Sequence, residues 1–511
     1  MSVPDTRSAA PSPGPLTRSD GPALERPAAL RRVASSAIRD RRPALPAIRD
    51  AAAIVGARWV SAAMRTAGRG ATSLPGLVAA RISPGIEGRI AAGIGRSVVV
   101  SGTNGKTGTS SLLATILTEA GETLVRNASG ANLRQGIATV VATSATIGGA
   151  IRDPSAVAVL EADEAALPTV AGWFPGSVLV LTNLFRDQLD RYGETDHLVR
   201  LWATMLAERP PRGGLVYCVD DPRLTALVAD AGVPLRGFAL EGPPPTGPGA
   251  QLTAESSTCP RCHHGLSLAR SGMGQVADYA CDSCGFRRPE PDCIVTIVDD
   301  RGLAGQTLRF TWAGGRTETV DVALAGPGNA CNAAAAVCAA AILGIPMRAA
   351  IRSLVASAPP FGRLERAEVD GRRVTLSLLK NPASMEELTR IAVHSRIDTV
   401  LVALNDAFAD GRDVSWYWDC SPAALLAGRR FVIAGRRAED FLLRVRYAVL
   451  DHPDESPPGL AGLVTDPVQG LASAVEATPV GGDVLVAATY TALLSIRASL
   501  AGRAIVPAMP R

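Results

Sequence analysis

The chain of 511 residues contains no uninterrupted apolar run of the roughly 18 residues that a membrane-spanning helix requires. Its N-terminal stretch is rich in Pro, Ser and Arg and contains no apolar core segment of the kind that a secretory signal has. These two absences predict a cytoplasmic protein. Hydrophobic residues make up 47% and charged residues 20%, as in ordinary globular proteins, which excludes disorder of the whole chain.

Aromatic residues are scarce as well, at 4%, which leaves too few for a platform on which nucleic-acid bases stack. The formal net charge of +4 belongs entirely to residues 1–50, which hold nine Arg against four Asp and one Glu. The rest of the chain is neutral. Because nucleic-acid-binding domains carry a basic face, we expect no nucleic-acid partner.

Lysine is the rarest charged residue, since only Lys106 and Lys380 occur among 52 basic residues and the other fifty are Arg. In such a chain, lysine is expected where a compact ammonium is required and a planar guanidinium does not fit. Asparagine is also scarce, with eight residues. The two lysines and eight asparagines therefore mark candidate sites, and the alternative is that they are retained by chance. The asparagines are Asn104, Asn127, Asn132, Asn183, Asn329, Asn332, Asn381 and Asn405.

Composition and hydrophobic patterning divide the chain into regions. Residues 1–49, rich in Pro and Arg, are predicted to be a disordered extension, and 50–96 a helical lead-in. Residues 97–362 are predicted to form a parallel α/β domain, because three β-branched runs end in polar residues and alternate with helical patterns. The three runs are 97–100, 157–160 and 178–181.

A second, smaller domain is predicted over 363–511, after a Pro-Pro-Phe-Gly stretch at 359–362 that marks a hinge. Its apolar runs alternate with helical patterns, which is typical of a doubly wound, Rossmann-like α/β fold. These runs are 374–379, 399–404, 430–434 and 484–488.

The sequence Gly-Thr-Asn-Gly-Lys-Thr at 102–107 follows the first strand and opens a helix, as phosphate-binding loops do. Lys106 would reach the β and γ oxygens of ATP, and the Thr107 hydroxyl would bind Mg²⁺. Glu161 follows the run 157–160 and is a second Mg²⁺ candidate, because hard cations prefer oxygen ligands. The alternatives are that 102–107 is only a structural turn and that Glu161 belongs to a solvated acidic loop. The predicted nucleotide-binding residues here are Gly102, Thr103, Asn104, Gly105, Lys106 and Thr107.

Four cysteines with the spacing Cys-x2-Cys-x18-Cys-x2-Cys lie in an insert at about 252–292 and fit a tetrahedral zinc ribbon. Four thiolates close the coordination shell, so the predicted role is structural, with loss of the metal or free thiols as alternatives. The predicted zinc ligands are Cys259, Cys262, Cys281 and Cys284. The other cysteines, predicted to be buried small apolar residues, are Cys218, Cys293, Cys331, Cys338 and Cys420.

The motifs at 102–107, 326–334 and 362–365 resemble, in the same order, the ATP-binding signatures of the Mur ligase superfamily. Over residues 50–511 the chain is most similar to the MurT family within it, the synthetase subunits of glutamine-hydrolysing lipid II isoglutaminyl synthase. Besides the cysteine insert, the motifs that carry this resemblance are 126–132, 182–192, 379–383 and 410–416.

The resemblance implies a carbon–nitrogen ligase with a Mur-ligase-type central ATPase domain. ATP would phosphorylate the α-carboxyl group of D-glutamate in the lipid II stem peptide, and ammonia would displace the phosphate. Asn329 and Arg363 would contact the nucleotide and bridge the domains, while Asn332 would touch adenine or cap the helix that follows it. A lipid-linked substrate implies work at the inner face of the membrane.

No ammonia-generating site is visible, because a glutaminase needs an activated Cys with a His base and no persuasive pair occurs. The resemblance implies a heterodimer with a separate glutaminase subunit of the GatD type. An Asp of the C-terminal domain would complete that partner's catalytic triad. Asp413 is the first candidate and Asp410 the second, in what is predicted to be an exposed loop, with a plain acidic turn as the alternative.

Two features depart from the superfamily pattern. Gln188 stands where many Mur ligases have His, and no lysine follows the 182–192 motif to be carbamylated, so the number of Mg²⁺ ions stays open. The resemblance also implies that the N-terminal UDP-binding domain of those ligases is missing, so that the substrate would be held differently, as a lipid-linked precursor would be. The alternatives are a cyanophycin- or folylpolyglutamate-type ligase, which should lack the cysteine insert, and a zinc-ribbon nucleic-acid-binding protein, which leaves Lys106 unexplained.

Overall fold

A computed structural model describes residues 47–67, 72–127, 130–184, 195–241, 258–271, 276–357, 363–449, 457–503 and 505. Most of the predicted extension therefore lies outside the described residues, and the first helix begins at Ala47. None of the helices in these ranges is both long and apolar enough to cross a membrane.

Helices and strands alternate along most of the chain. The helices of at least four residues are α1 (Ala47–Thr66), α2 (Leu74–Ile82), α3 (Ile86–Ala91), α4 (Lys106–Glu119), α5 (Arg134–Ser144), α6 (Leu167–Trp173), α7 (Thr195–Glu208), α8 (Pro222–Val228), α9 (Pro327–Ile342), α10 (Met347–Ser353), α11 (Pro382–Val393), α12 (Ala423–Leu426), α13 (Ala438–Val449), α14 (Pro467–Ala477) and α15 (Tyr490–Gly502). The strands are β1 (Arg96–Ser101), β2 (Leu124–Arg126), β3 (Val157–Glu161), β4 (Val178–Leu181), β5 (Leu215–Cys218), β6 (Leu235–Glu241), β7 (Ser267–Ser271), β8 (Val276–Ala280), β9 (Cys293–Asp300), β10 (Gln306–Trp312), β11 (Arg316–Val322), β12 (Arg363–Val369), β13 (Arg372–Leu378), β14 (Thr399–Ala403), β15 (Arg430–Ala434), β16 (Leu460–Val464) and β17 (Asp483–Ala488).

The larger sheet has nine strands in the order β11-β10-β9-β6-β5-β4-β1-β3-β2. Seven neighbouring strands of this sheet are parallel to one another, in the order β9-β6-β5-β4-β1-β3-β2. Strand β10 is antiparallel to both β9 and β11. The prediction of a purely parallel sheet is therefore wrong at this edge. The connection between β10 and β11 is only Ala313–Gly315, with φ of 76° at Gly314, and so short a turn can join only antiparallel strands.

Strand β1 lies between β3 and β4, so the chain leaves its carboxyl end at the point where the strand order reverses. Val98 and Val99 in β1 are fully buried, and Leu160 in β3 and Leu179 in β4 pack in the same core. In open α/β sheets, ligands bind beyond the strand ends at such a switch point. The fold thus places the 102–105 loop, Glu161 and Thr182 together.

The second sheet has six strands in the order β12-β13-β17-β14-β15-β16, and only β12 is antiparallel to its neighbour. Helices cover both of its faces, because Leu388 of α11 and Phe441 of α13 belong to one buried cluster. Leu471 of α14 and Ile496 of α15 belong to another. Residues 363–503 thus form a smaller α/β unit, called the C-terminal unit below.

Candidate active site

The loop at 102–105 takes its shape from the end of β4. Gly102 has φ of 132°, and a Cβ there would lie 2.1 Å from Thr182 Oγ1, so only glycine fits. Thr182 Oγ1 donates a hydrogen bond to the Asn104 carbonyl (2.6 Å), and Asn183 Oδ1 accepts one from the Asn104 N–H (2.8 Å). The loop is therefore held in one conformation directly before the first turn of α4.

Lys106 opens helix α4 and folds back over the loop. Its Nζ donates to the carbonyls of Gly102 (2.5 Å) and Thr103 (3.2 Å) and pairs with Glu164 Oε2 at 3.1 Å. The two charged side chains are only 10% and 6% exposed. Because the pair is shielded from water, its attraction is stronger than that of a surface pair. The ammonium thus lies against the loop and pairs with a buried carboxylate.

Thr107 and Glu161 meet beside the same loop. Thr107 Oγ1 donates a hydrogen bond to Glu161 Oε2 at 2.9 Å, and Asn132 Nδ2 donates to Glu161 Oε1 at 3.3 Å. Asn127 fixes the backbone of Glu161 through two hydrogen bonds of 2.9 Å each. A hydroxyl and a carboxylate are hard oxygen ligands, so this pair fits Mg²⁺.

Helix α9 lies against the first turn of α4. Asn332 Oδ1 accepts a hydrogen bond from Thr109 Oγ1 at 3.2 Å. A Cβ at Gly105 would lie 2.2 Å from Asn332 Oδ1, and one at Gly108 would lie 2.4 Å from Nδ2. The N-cap of α9 is Gly326, and Asn332 lies inside the helix. Of the two alternatives predicted for Asn332, helix capping is therefore wrong, because its amide contacts the loop instead.

A cleft with an internal volume of about 50 Å³ opens between this loop, α9 and the C-terminal unit. Asn329 lines it from α9, where its Nδ2 also donates to the Ala325 carbonyl at 2.8 Å. Glu387 of α11 lines the opposite side, and a Cβ at Gly328 would lie 2.3 Å from Glu387 Oε1. The cleft is thus shared by both α/β units.

Two residues of the C-terminal unit touch the loop itself. Lys380 Nζ donates to the Thr103 carbonyl at 3.0 Å, and the side-chain amides of Asn381 and Asn104 are hydrogen bonded at 3.3 and 3.4 Å. Arg363 begins β12 opposite Ser377, which lines the cleft, while its side chain lies outside the described atoms. The two units therefore meet at the loop.

The scarce residues gather here. Nine of the ten lysines and asparagines touch the loop, Glu161 or the cleft. The exception is Asn405, which bonds to Thr491 in the C-terminal unit. Glu164, which pairs with Lys106, is not among the predicted site residues, because scarcity is no signal for a glutamate in a chain that contains many.

Comparison with known proteins identifies the fold and the family. Residues 100–258 match the Mur ligase middle domain, and residues 378–493 match the MurT ligase C-terminal model. The MurT subunit of lipid II isoglutaminyl synthase from Streptococcus pneumoniae is 31% identical over 445 residues, which cover 86% of this chain and 94% of that protein. The chain belongs to the MurT family. It is therefore a carbon–nitrogen ligase of the Mur superfamily.

The MurT subunit from Staphylococcus aureus is 29% identical over 406 residues, 78% of this MurT-family chain and 87% of that protein. Among solved structures, a pseudomurein peptide ligase type C from Methanothermus fervidus has a TM-score of 0.61 at 18% identity, covering 80% of this chain and 79% of that one. MurF ligase from Thermotoga maritima in complex with ADP has a TM-score of 0.57 at 13% identity, covering 84% and 85%. These likenesses support a Mur-ligase-type α/β fold.

The four cysteines of the insert come together in this family member. Their sulfur atoms all lie within 4.8 Å of one another. Cys259 Sγ is 3.6 Å from Cys284 Sγ, and Cys262 Sγ is 3.4 Å from Cys281 Sγ. Four converging thiols are a donor set that fits a tetrahedral zinc ion. Strands β7 and β8 form an antiparallel hairpin within the same insert.

The insert is fastened to the carboxyl end of β5. Arg288 pairs with Asp220 at 2.7 Å, and the hydroxyl of Tyr279 donates to the Val219 carbonyl at 3.1 Å. The Arg288 and Asp220 side chains are 14% and 5% exposed. Burial raises the pKa of Asp220, and the Arg288 guanidinium opposes that rise. The cysteine cluster is thereby linked to the large sheet.

The loop that follows β14 contains the two candidate aspartates for the partner's triad. Asp413 is half-buried, and its Oδ1 accepts a hydrogen bond from the Ser415 N–H at 2.9 Å. Asp410 is only 5% exposed and accepts hydrogen bonds from the N–H (2.7 Å) and hydroxyl (2.6 Å) of Thr491. The prediction that Asp410 is exposed is therefore wrong, because its carboxylate satisfies donors in the first turn of α15.

Three of the cysteines outside the insert lie in environments that disfavour the thiolate form. Burial raises the pKa of Cys218 and Cys331, and it also raises the pKa of Cys420. Cys331 is predicted to be a buried small apolar residue, whereas its side chain is half-buried and lines the cleft. A thiol with a raised pKa is a weak nucleophile, so none of these three suits glutamine hydrolysis.

Proposed function

We propose that the chain is the ATP-dependent synthetase subunit that converts the α-carboxyl group of D-glutamate in lipid II to the amide of D-isoglutamine. The observation that carries this proposal is the meeting of Lys106 with the Thr107–Glu161 pair at a phosphate-type loop. It occurs in a chain that aligns with 94% of a curated MurT subunit. The reaction belongs to peptidoglycan synthesis.

The chemistry requires an activated carboxyl group, because a carboxylate is a poor electrophile. A carboxylate oxygen attacks the γ-phosphorus of ATP, and the bond between that phosphorus and the bridging oxygen breaks. ADP departs, and an acyl phosphate remains on the substrate. Ammonia then attacks the carbonyl carbon, the bond to the phosphate oxygen breaks, and a proton leaves the nitrogen. Lys106 offsets the charge that develops on the transferred group. Mg²⁺ held by Thr107 and Glu161 would add further charge neutralisation when bound.

The nucleotide would occupy the shared cleft. Asn104 and the other loop residues would cradle the phosphates, while Asn329 and Asn332 would contact the nucleotide from α9. Arg363 would approach from the first strand of the C-terminal unit. Residues 97–362 would act as the ATPase domain and 363–511 as a Rossmann-like domain that closes on it. The insert would be a zinc ribbon with a structural Zn²⁺, since four thiolates leave no open coordination position.

Ammonia would come from a glutaminase subunit of the GatD type in a heterodimer. The buried thiols outside the insert support this division of labour, because they are unsuited to glutamine hydrolysis. Asp413 is the better candidate for the partner's triad, since Asp410 is bonded to Thr491. Binding of lipid II would bring the complex to the inner face of the membrane.

The test is amidation of purified lipid II by the chain together with its glutaminase subunit, ATP and glutamine. The expected product carries D-isoglutamine, and one phosphate is released for each amide formed. Omission of the glutaminase should abolish the reaction with glutamine but not with ammonia. Incorporation of a whole amino acid in place of ammonia would overturn the proposal in favour of another Mur-type amide ligase.

A further inference from the structure

One side of helix α1 is apolar and points away from the core. Ile48 and Trp59, about three turns apart, are 80% and 73% exposed. Ala52 and Val55 lie between them at helical spacing, so all four share one side of the helix. The opposite side is buried too, because Ile54 is fully buried in the core of the large sheet. A helix that is apolar on both sides is expected to have a second apolar environment besides that core.

Helix α2 widens this exposed surface. It lies beside α1, since a Cβ at Gly56 would be 3.6 Å from Val78 Cγ1. Leu74 and Leu77, one turn apart, are exposed, whereas Ala79 is fully buried in the same core as α1. Single exposed apolar side chains are ordinary, but several large ones on two packed helices form a patch that marks an interaction site. The patch, called the α1–α2 face below, consists of Ile48, Trp59, Leu74 and Leu77.

The charged residues around the α1–α2 face are mainly basic. Helices α1, α2 and α3 contain five arginines and two acidic residues. Asp50 is paired with Arg89 at 2.6 Å, and Glu87 is only 2% exposed, so neither carboxylate offsets the remaining arginines. Arg81 is exposed one turn after Leu77. The residues that lead into α1 are basic as well, because 1–50 carry a net charge of +4. The face is therefore suited to an anionic partner.

The α1–α2 face continues toward the candidate active site. The start of α2 lies against the first turns of α5, because the Gly76 N–H donates to Thr139 Oγ1 at 2.8 Å. Leu133, the residue before α5, is exposed. Its neighbour Asn132 donates a hydrogen bond from Nδ2 to Glu161 Oε1 at 3.3 Å. A surface that covers the face would therefore stand beside the edge of the site at which Glu161 lies.

We propose that the α1–α2 face docks onto the anionic surface of a lipid bilayer. The inference rests on the proposed function, because a lipid-linked substrate places the reaction at a membrane. Interfacial helices insert Trp and Leu side chains at the level of the headgroups, while their arginines attract anionic lipids. The Trp59 ring suits this boundary, since it is apolar but carries one polar N–H group.

Charge argues against the two other occupants that the chain itself could supply. A second copy would bring the same arginine-rich surface against itself, and like charges across an interface are unfavourable. Residues 1–45 contain eight arginines against four acidic residues, so this segment would also be repelled. A bilayer that contains anionic lipid offers both an apolar boundary and the opposite charge. It is the occupant that matches both properties of the face.

The experiment measures flotation of the full-length chain, in complex with its glutaminase, with vesicles that contain neither lipid II nor nucleotide. Vesicles of phosphatidylglycerol and phosphatidylcholine in equal parts should bind the complex, and vesicles of phosphatidylcholine alone should bind it at least about fivefold more weakly. Trp59→Ser should weaken binding to the mixed vesicles about tenfold, because its ring no longer leaves water. Arg81→Gln should weaken it about fivefold. Val480→Ser removes an apolar side chain that is 76% exposed on the C-terminal unit; it is the matched control and should leave binding unchanged.

Three results would overturn the docking surface. They are equal binding to neutral and anionic vesicles, wild-type binding by the Trp59→Ser variant, and a Val480→Ser control that loses as much as that variant does. A dimer that Trp59→Ser dissociates in gel filtration would assign the face to a second copy instead. If Trp59→Ser does not fold, Arg81→Gln takes its place in the same comparisons.

Amidation assays separate this inference from the proposed function. With ammonia as the nitrogen source, Trp59→Ser should amidate a water-soluble lipid II analogue with a short lipid chain at the wild-type rate. The same variant should be about tenfold slower on full-length lipid II in mixed vesicles. Equal losses on both substrates would indicate a structural role for Trp59 and overturn the docking surface. A wild-type complex that binds anionic vesicles but amidates neither substrate would overturn the proposed function and leave the docking surface intact.

Discussion

Replacing Glu164 with Gln should lower the stability of the free protein and at the same time tighten nucleotide binding. The Lys106–Glu164 pair is 3.1 Å long, with side chains 10% and 6% exposed. Removing one partner of a buried pair costs about 3–5 kcal/mol. The carbonyls of Gly102 and Thr103 still hold the ammonium, and glutamine keeps the volume, so we expect a loss of about 2 kcal/mol.

The effect on binding has the opposite sign because Glu164 competes with phosphate for Lys106. Without this competitor, the dissociation constant for ADP with Mg²⁺ should fall about tenfold, equivalent to about 1.4 kcal/mol. Urea denaturation of the free chain and calorimetric titration of the nucleotide measure the two quantities separately. Glu318→Gln is the control. Glu318 lies on the outer strand β11 and pairs with Arg348 and Arg352 of α10, so its replacement should leave the nucleotide affinity unchanged.

Weaker nucleotide binding in the Glu164→Gln variant would refute this reasoning. It would mean that Lys106 keeps its carboxylate partner while phosphate is bound, or that Glu164 itself belongs to the metal site. Unchanged stability would refute it in a different way, because the pair would then contribute nothing to the free protein. Only the combination of lower stability and tighter binding supports an exchange of anionic partners.

Three further substitutions test other parts of the site. Lys106→Ala should abolish ATP-dependent phosphate release, whereas complex formation, measured by gel filtration, should persist. Near-normal amidation by this variant would contradict the assignment of the loop as a phosphate-binding loop. Cys281→Ser should release zinc from the insert, and full zinc content by atomic absorption would show that the cysteine cluster has another role. Asp413→Asn should reduce glutamine hydrolysis by the complex by about a thousandfold or more, and free ammonia should restore amidation. Wild-type glutaminase activity, or no rescue by ammonia, would rule out Asp413 as the triad residue.

Much of the site could be predicted from residue types alone. A chain with fifty arginines has no compositional reason to keep Lys106 and Lys380, and both donate hydrogen bonds to the Thr103 carbonyl of the same loop. The asparagines follow the same logic, because a short amide can both donate and accept within a crowded loop. Asn104 and Asn183 do so for each other, as do Asn104 and Asn381.

The remaining features depend on contacts between distant parts of the chain. The local sequence around Asp410 predicts an acidic turn before Gly411. The burial of its side chain follows only from the contact with Thr491, which is 81 residues away in the sequence. Asn332 looks like a helix cap until α9 is packed against Gly105 and Gly108. The antiparallel edge is a different case, since alternating polar and apolar residues around Gly314 and Gly315 are a hairpin signal that the sequence does contain.

The insert with the four cysteines connects β6 to β9, and these two strands are parallel neighbours, with Phe238 opposite Cys293. Parallel neighbours cannot be joined by a tight turn, because the chain must travel back along the sheet before the second strand begins. In most α/β proteins a helix makes that return, and here the insert makes it, with its β7–β8 hairpin and its two Cys-x2-Cys pairs. The cysteine insert is therefore an integral part of the connection between these two strands of the sheet. Cutting it down to a two-residue link would leave β9, and the β10 and β11 strands that follow, unable to reach their places.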